Sequence, residues 1–539
     1  MSYLTQPHIY PASPSHPARA RLRRLMREAG LVTTHGQSKK IVLFGDSTWR
    51  CPGGTQYANS HHALALALGR FYGNIPGTQI FGYGNESDAF GGRANFLSAG
   101  SLTAQYATTD LCGNDLSRAV DLAVTTGNNG LYTNFYWDNH TGSNPFDVGG
   151  TLLNGGTPWP AGNAVRLQVY GLPRSGAGTV NYAVGFTTSR LTFATAATNP
   201  GTHTGSLSMT LAGTPNTANL QSEILGPWTP TSGTYPQAKF VAATASATLL
   251  GSRWLGANPA GWLIDNVAEG GYSTYHYFGR HEDGALGLRA DSGPLLAAVG
   301  YDLCLICLGT NDVYSGRTAE QMGYDLFNTG TKVGGGSSNH QGLMKRVRDA
   351  HVAAGKAPPL MVLSNPPYRR RQNAGETNYD TYKARHALVA DEYVAAVDRY
   401  NAAYPGEAVF VNLHRMTYER GWNEVTEDTY GLTDNGAWAT DTAMVAGEIR
   451  THGTWAPPEH GRARKWKSLR AGTSGSTSEP GVGSRTKEFW LPVENHLYDH
   501  VHPGLFGAQL SGELVASALL GGMTPAYAPA SPIGSPFVR

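Results

Sequence analysis

The sequence is poor in charge and in cysteine. Only 15% of its 539 residues are charged, and 41 lysines and arginines nearly balance 39 acidic residues. The formal net charge of +2 gives no extended positive field, which argues against a nucleic-acid partner. Four cysteines are too few for a disulfide framework. No apolar run reaches the length of a membrane span, and the first 30 residues lack an apolar signal segment, so we expect neither a membrane span nor classical secretion.

Two of the four cysteines, Cys304 and Cys307, form a CxxC motif. The motif lies within the apolar run YDLCLICLG, residues 301–309, which has the character of a buried strand. Because side chains alternate along a strand, residues three apart point to opposite faces. We therefore predict two separate buried thiols, with a redox or zinc-binding pair as the alternative.

Glycine and proline are plentiful, with 68 and 31 residues, and they favour loops and β-structure over long charged helices. Residues 1–17 are spaced by prolines and are predicted to be extended, whereas residues 18–29 predict a short basic helix that Gly30 ends. Since the prolines before it interrupt an amphipathic helix, this segment indicates a solvated or docking face rather than a transit peptide. The face carries five arginines: Arg19, Arg21, Arg23, Arg24 and Arg27.

The hydrophobic pattern changes twice along the chain. Apolar strands alternate with helical stretches before residue 100 and again after residue 258, as in a parallel sheet covered by helices. Between them, short Thr-, Ser- and Gly-rich runs with period-two alternation predict an all-β sandwich or jelly roll. We divide the chain into an amino-terminal arm (1–38), an α/β core (39–100, 259–414 and 491–522), an inserted β-domain (101–258), an irregular excursion or lid (415–490) and a carboxyl-terminal tail (523–539).

The run IVLFGDSTWR, residues 41–50, has the pattern of a buried strand that ends on Gly45, Asp46 and Ser47. All three are common turn formers, so one interpretation is a simple turn. The alternative is a nucleophilic serine at the carboxyl end of a strand, and this requires a base and oxyanion donors from other segments.

Three other segments supply such groups. The segment YDHVHPG places Asp499 three residues before His502, a spacing that lets a carboxylate orient an imidazole. Asn311 and Gly271 each follow an apolar strand, and ligands bind at the carboxyl edge of open α/β sheets. The amide of an asparagine and the unhindered N–H of a glycine are both suitable oxyanion donors.

Four short motifs occur in a definite order: GDS at 45–47, NVAEGG at 266–271, GTND at 309–312 and DHVH at 499–502. In this order they resemble the motifs of the SGNH hydrolases, also called the GDSL esterase and lipase family. The resemblance covers about half of the chain and implies a three-layer α/β/α, flavodoxin-like core. That fold agrees with the alternation of strands and helices described above.

The same resemblance implies roles for single residues. Ser47 corresponds to the nucleophile, His502 to the general base and acid, and Asp499 to the orienting carboxylate. The oxyanion donors would be the backbone N–H groups of Ser47 and Gly271 and the side chain of Asn311. The resemblance implies neither a cofactor nor a metal ion.

Two features depart from the family pattern. Thr48 and Trp49 follow the serine where the family often has leucine or isoleucine, which bears on the shape of the substrate. The β-domain separates the first two motifs, so Gly82 or Gly84 of FGYGNES is the alternative to Gly271 as a donor. We favour Gly271 because it follows an apolar strand.

The resemblance implies ester hydrolysis through an acyl-enzyme. A β-domain beside an esterase site favours an acylated carbohydrate, and we expect removal of acetyl groups from a polysaccharide, with lipid-like esters as the alternative. His500 and His502 are alternatively a metal-binding pair. Four tryptophans are candidates for stacking on sugar rings, although such residues more often belong to a core: Trp137, Trp159, Trp228 and Trp254.

A hypothesis of another class is structural. The start without a signal segment, the basic arm and the Gly-, Thr- and Asn-rich β-domain are similar to components of bacteriophage tails or spikes, some of which carry esterases that strip host-surface glycans. This similarity implies virion partners bound through the amino-terminal arm, a homo-oligomer and a place in the virion, with the cytoplasm as the alternative. A glycan-binding virion protein with a vestigial site is the corresponding alternative to an enzyme.

Overall fold

A computed structural model describes the chain in ranges separated by gaps. The described residues are 7–50, 60–73, 78–80, 96–97, 106–110, 118–122, 130–134, 162–187, 203–214, 217–230, 235–268, 271–274, 276–277, 292–328, 342–368, 379–419, 434–451, 465–473, 475–480, 489–492 and 505–521. Within these ranges no helix combines the length and the apolar character that a membrane crossing requires.

The strands and helices are numbered in chain order. The strands are β1 (Ile9–Tyr10), β2 (Lys39–Gly45), β3 (Thr78–Ile80), β4 (Phe96–Leu97), β5 (Tyr106–Asp110), β6 (Arg118–Leu122), β7 (Gly130–Asn134), β8 (Val165–Leu172), β9 (Val180–Thr187), β10 (His203–Ser206), β11 (Gln221–Trp228), β12 (Tyr235–Ala242), β13 (Ala247–Leu255), β14 (Trp262–Asn266), β15 (Leu303–Cys307), β16 (Leu360–Ser364), β17 (Ala408–Val411), β18 (Asp434–Ala437), β19 (Ala443–Met444), β20 (Ile449–Thr451), β21 (Lys465–Ser468), β22 (Gly472–Thr473) and β23 (Trp490–Pro492). The α-helices are α1 (Pro17–Gly30), α2 (Ser47–Arg50), α3 (Ser60–Tyr72), α4 (Ser292–Val299), α5 (Thr310–Tyr314), α6 (Ala319–Leu326), α7 (Leu343–Ala353), α8 (Tyr379–Ala403), α9 (Leu413–Glu419) and α10 (Leu505–Leu520).

Six parallel strands form the centre of the main sheet, in the order β17-β16-β15-β2-β14-β3. Strands β14, β15, β16 and β17 are buried along their whole length, as expected for a parallel sheet covered on both faces. Strand β1 pairs antiparallel with β17 and covers that edge. Part of the arm that we predicted to be extended is therefore an edge strand of the core.

Helices cover both faces of this sheet and give the expected three-layer α/β/α core. Apolar residues of α1, α3 and α10 pack on one face, and those of α4, α6, α7 and α8 pack on the other. Cys304 lies in one of these layers and Cys307 in the other, and both thiols are buried. The prediction of two separate buried thiols is therefore confirmed, since the sheet itself separates them.

The basic helix α1 is part of the core. Its buried face packs against the sheet, and three of its arginines bind backbone carbonyls of this same chain. The guanidinium of Arg19 donates to the carbonyl of Pro11 at 3.2 Å, and that of Arg23 donates to Pro14 at 2.7 Å. Arg21 donates to the carbonyl of Pro358, in the segment before β16. These bonds use part of the basic face that the sequence assigned to solvent or docking.

A second sheet, in the order β10-β9-β12-β7-β4, faces strands β8, β11 and β13 across a shared hydrophobic core, so the two sheets form a sandwich. Strand β13 also pairs antiparallel with β3, the last parallel strand of the core. One sheet of the sandwich is thus continuous with the core sheet. The division of the chain at residues 101 and 258 stays a prediction.

The segment 415–490 differs from the expected irregular excursion. Its described residues contribute strands β18, β20 and β21 to a four-stranded sheet in the order β18-β20-β21-β23. They also contain a two-stranded sheet of β19 and β22. The strands have two to four residues, too few for an alternating pattern to appear in the sequence. Their small core consists of Met444, Trp466, Phe489 and Trp490. A role as a lid stays a prediction.

Candidate active site

Ser47 is the first residue of α2, directly after the carboxyl end of β2, and is 5% exposed. Asp46 caps this short helix, because its Oδ1 accepts bonds from the Thr48 N–H at 2.9 Å and the Thr48 hydroxyl at 2.6 Å. Gly45 is required by space, since a Cβ there would lie 2.9 Å from that of Trp49. The Gly-Asp-Ser sequence therefore turns the chain sharply and fixes the position of the serine.

Side chains of helix α3 and strand β14 bind backbone carbonyls of α2. The Ser60 hydroxyl donates to the carbonyl of Thr48 at 3.1 Å, and the Asn266 amide donates to that of Trp49 at 3.3 Å. The Nδ1 atom of His61 lies 3.1 Å from the Trp49 carbonyl and 2.9 Å from the Asn266 amide nitrogen. Burial lowers the pKa of His61 to about 3, so this imidazole is neutral at physiological pH.

Tyr277 joins the ends of the two neighbouring strands β2 and β14. Its hydroxyl lies 2.8 Å from the carbonyl oxygen of Gly45 and 2.7 Å from that of Val267. The side chain is fully buried, and its ring meets that of Phe44 edge to face at 5.2 Å. This tyrosine therefore fixes the spacing between the strand that leads to Ser47 and the strand that leads to Gly271.

Gly271 has a φ angle of +77°, which glycine tolerates best, and a Cβ at this position would meet no atom of the described residues within 4 Å. Its neighbour Tyr272 is buried and stacks on His276, with ring centroids 5.0 Å apart. The backbone N–H of Ser273 donates to Nδ1 of His276 at 3.0 Å. Because that Nδ1 accepts a hydrogen bond, a neutral His276 carries its proton on Nε2. The Gly271 backbone thus borders open space while the residues after it are anchored.

Asn311 follows β15 and lies in the first turn of α5. Gly309 precedes this turn with a φ angle of +117°, a conformation that directs the chain abruptly from strand to helix. The Asn311 side-chain amide donates to the carbonyl of Tyr272 at 2.8 Å. An amide has two N–H bonds, and the Tyr272 carbonyl takes one of them. This contact brings the GTND segment directly against the residue after Gly271.

The last residue of GTND, Asp312, is fully buried and binds Thr274. Its carboxylate accepts bonds from the Thr274 N–H at 3.0 and 3.2 Å and from the Thr274 hydroxyl at 2.6 Å. Arg317 and Asp325 contact the same group of atoms. Burial raises the pKa of Asp312 and raises that of Asp325 to about 7, against the opposing effect of hydrogen bonds and of Arg317.

The sheet topology brings three predicted site residues to one edge. Strand β2 lies between β14 and β15; β15 ends opposite the last residue of β2, and β14 ends two residues earlier, with Asn266 opposite Leu43. Ser47, Gly271 and Asn311 each follow one of these ends, at the point where strand order turns from one side of β2 to the other. Such a switch point is where ligands bind in open α/β sheets.

The predicted base and its carboxylate, His502 and Asp499, lie outside the described residues. The helix that follows them, α10, packs tightly on α3: a Cβ at Gly512 would lie 2.5 Å from the Leu64 nitrogen and from the Ser60 carbonyl oxygen. The helix after the DHVH motif therefore contacts the helix that supports the Ser47 turn.

Several alternatives named above also fall outside the described residues, namely Gly82, Gly84 and His500. In the described part of the chain, no group of three or more His, Cys, Asp or Glu side chains is arranged to hold a metal ion.

The four candidate tryptophans divide into three cases. Trp137 and Trp159 lie outside the described residues. The two cysteines outside the CxxC motif, Cys51 and Cys112, also lie outside them. Trp254 is buried in the core of the sandwich. Trp228 is half-buried against that core, where its ring lies 5.7 Å from that of His203.

Sequence reasoning missed the residues that hold the predicted donors in place. Tyr277, Thr274 and His276 all follow the NVAEGG motif within seven residues, and this nearness to the motif is the signal that could have drawn attention to them. Asp325 and Arg317 offer no such signal, because acidic and basic residues near short helices are usually solvated.

No family model matches the chain, and no curated protein matches it. Solved structures similar to it include a peptidoglycan O-acetylesterase, with 12% identity and a TM-score of 0.44 over 95% of this chain and 98% of the other. A GDSL-like lipase from Parabacteroides merdae has 14% identity and a TM-score of 0.25 over 48% of this chain and 74% of the other. A carbohydrate acetylesterase from Sinorhizobium meliloti has 11% identity and a TM-score of 0.21 over 48% and 78%.

Proposed function

We propose that this chain is a serine esterase of the SGNH type that removes acetyl groups from a polysaccharide. The observation that supports it most is the arrangement at the carboxyl edge of the sheet. Ser47, Gly271 and Asn311 follow three adjacent strands, and the Asn311 amide is bonded to the residue after Gly271. A simple Gly-Asp-Ser turn would not need this convergence of polar groups.

In the proposed reaction, the Ser47 Oγ attacks the carbonyl carbon of the ester while His502 takes the hydroxyl proton. The tetrahedral intermediate collapses when the bond to the sugar oxygen breaks, and that oxygen leaves with the proton from His502. Water, deprotonated by His502, then attacks the acyl-enzyme, releases acetate and restores Ser47. Asp499 orients the imidazole throughout.

The oxyanion of the tetrahedral intermediate needs donors that are already in place. The backbone N–H groups of Ser47 and Gly271 and the second N–H of Asn311 are the donors that we assign. The exposure of Gly271 supports this assignment, because a reacting oxygen can approach its backbone without meeting a Cβ.

An acetylated polysaccharide is the substrate that we favour over a lipid. Strand β13 of the sandwich lies only two strands from β14, which leads to Gly271, so the sandwich extends the sheet that carries the site. A long surface of this kind suits an extended polymer. The family that the motifs resemble includes carbohydrate O-deacetylases.

The test is hydrolysis of p-nitrophenyl acetate and p-nitrophenyl octanoate by the wild type and the Ser47→Ala variant. We expect the wild type to prefer the acetate and Ser47→Ala to lower kcat by a factor on the order of 10⁴ or more, because the members of a triad act as a unit. Release of acetate from an acetylated polysaccharide, measured in the same two proteins, extends the test to the proposed substrate.

Ser222→Ala, at an exposed serine of β11, is the matched control and should leave both activities unchanged. Equal activity of Ser47→Ala and the wild type would contradict the proposal. A preference for the octanoate would move the substrate to lipid-like esters. An inactive wild type that binds glycans would favour the alternative of a glycan-binding protein, and its mass in solution would show whether it assembles as a spike does.

A further inference from the structure

The three residues after Gly271 are each anchored by a different partner. The Tyr272 carbonyl accepts a bond from Asn311, the Ser273 N–H donates to His276, and Thr274 binds Asp312. Gly271 itself borders open space. The backbone N–H that we assign to the oxyanion therefore belongs to the residue before a short anchored segment, and its position depends on how firmly that segment is held.

Thr274 has the strongest anchor of the three. Its hydroxyl lies 2.6 Å from Oδ1 of Asp312 and 3.1 Å from Oδ2 of Asp325, so two carboxylates from different elements meet at one hydroxyl. Its N–H also donates to Asp312. Thr274 is 1% exposed, so water does not compete for these bonds.

Arg317 holds the two carboxylates together. Its Nε lies 3.3 Å from Oδ1 of Asp312, its Nη2 contacts Oδ2 of Asp325, and its backbone N–H donates to the Asp312 carbonyl at 3.0 Å. Without a cation, two buried carboxylates would repel each other across Thr274. The arginine therefore allows both to bind one threonine.

We propose that Thr274, clamped between Asp312 and Asp325 by Arg317, is the positioning residue that fixes the Gly271 N–H for the oxyanion. This inference rests on the proposed function. None of these side chains touches the reacting atoms in our assignment; they act through the backbone of residues 271–274. Asp325 and Arg317 lie outside all four motifs. Asp325 belongs to helix α6 and Arg317 to the turn before it, so this part of the arrangement is not given by the motifs.

The test compares Thr274→Val with Thr274→Ser. Valine keeps the shape of threonine and loses the hydroxyl, whereas serine keeps the hydroxyl. We expect Thr274→Val to lower kcat for p-nitrophenyl acetate by about 10- to 100-fold, with KM within about threefold of the wild type, because an oxyanion donor acts in the transition state. Thr274→Ser should stay close to the wild type.

A second readout separates positioning from loss of structure. Phenylboronic acid forms a tetrahedral adduct with a nucleophilic serine and mimics the transition state. Thr274→Val should raise its inhibition constant by about the same factor by which it lowers kcat. Thr417→Val is the matched control, since Thr417 is buried and holds the Tyr368 N–H at the same edge of the sheet. It should lower the melting temperature without changing kcat.

The outcomes separate this inference from the proposed function. If the wild type is active and Thr274→Val has the same kcat as Thr417→Val, the positioning role is wrong and the proposed function stands. A wild type that hydrolyses no ester would overturn both. If Thr274→Val does not fold, Asp325→Asn takes its place: it keeps the size of the side chain, and we expect kcat to fall severalfold, with an unchanged kcat overturning the proposal.

Discussion

Two clusters in this protein place an arginine against buried carboxylates, and the two differ in exposure and in charge balance. The first, the sheet cluster, lies where β13 meets the core and consists of Arg253, Asp265, Tyr170 and Tyr301. Arg253 donates to Asp265 at 2.9 Å and to the Tyr170 hydroxyl at 2.8 Å. Both charged side chains are completely buried. Burial disfavours a charged guanidinium, but the Asp265 carboxylate together with Tyr170 and Tyr301 outweighs burial and raises the pKa of Arg253.

The second, the edge cluster, lies at the carboxyl edge of the sheet and consists of Thr274, Asp312, Arg317 and Asp325. One arginine faces two carboxylates here, and its side chain is 19% exposed. The sheet cluster is balanced in charge, whereas the edge cluster has one more acid than base. The balanced pair contributes to holding the sandwich strands on the core. The unbalanced cluster lies next to the candidate site, so we expect its charge to bear on kcat.

The largest expected effect comes from breaking the sheet cluster. Arg253→Met leaves the Asp265 carboxylate buried without its cation, and we expect the free energy of unfolding to fall by about 3–5 kcal/mol. Denaturant unfolding at pH 7 measures it. The kcat of the molecules that remain folded should not change, since none of the side chains in this cluster is assigned a part in the reaction.

The double variant Arg253→Met/Asp265→Leu is the control, because it removes both charges. We expect it to recover most of the lost stability, as buried ion pairs replaced by apolar side chains often do. A loss below about 1 kcal/mol in the single variant would show that Asp265 finds other partners and would remove the distinction between the two clusters.

Much of the core could be predicted from the sequence, because its strands are apolar runs that end in distinctive polar motifs. The strands before Ser47 and Asn311 lie where the apolar runs predicted them. Periodicity and capping act locally, so they are readable in one sequence. The same logic separated Cys304 from Cys307.

What could not be predicted depends on contacts distant in the chain or on strands too short to show a pattern. Strand β3 has three residues, yet it joins the sandwich to the core. The strands within 415–490 are equally short. Thr274 meets Asp325 across 51 positions, and threonine and aspartate near turns are ordinary residues, so nothing local marks them as a pair. The roles of Asp499 and His502 stay predictions.

The second-largest expected effect is a change in the pH dependence of stability, and it concerns Asp325 in the edge cluster. Burial raises the pKa of Asp325 to about 7 from an ordinary value of 3.8, against the effect of Arg317. Between these values the folded state keeps a proton that the unfolded state has lost. The stability that this proton contributes is complete below about pH 4 and disappears as the pH rises through about 7.

Asp325→Asn removes that titration. We expect its free energy of unfolding, relative to the wild type, to improve by roughly 1.4 kcal/mol per pH unit as the pH rises between those limits. Denaturant unfolding at several pH values measures the difference. Two curves that stay parallel would mean that Arg317 and Thr274 keep Asp325 ionised throughout, and the edge cluster would then behave like the sheet cluster.

The smallest effect comes from removing one hydroxyl from the sheet cluster. The Tyr301 hydroxyl donates to Oδ2 of Asp265 at 2.9 Å, just as Thr274 donates to Asp312. Since hydrogen bonds to charged groups contribute modestly, Tyr301→Phe should lower the free energy of unfolding by about 1–2 kcal/mol and leave kcat for p-nitrophenyl acetate unchanged. Thr274→Val removes a comparable bond and should act mainly on kcat. If Tyr301→Phe lowered kcat as much as Thr274→Val, the loss of rate would follow from weaker structure in general, and position at the sheet edge would no longer explain it.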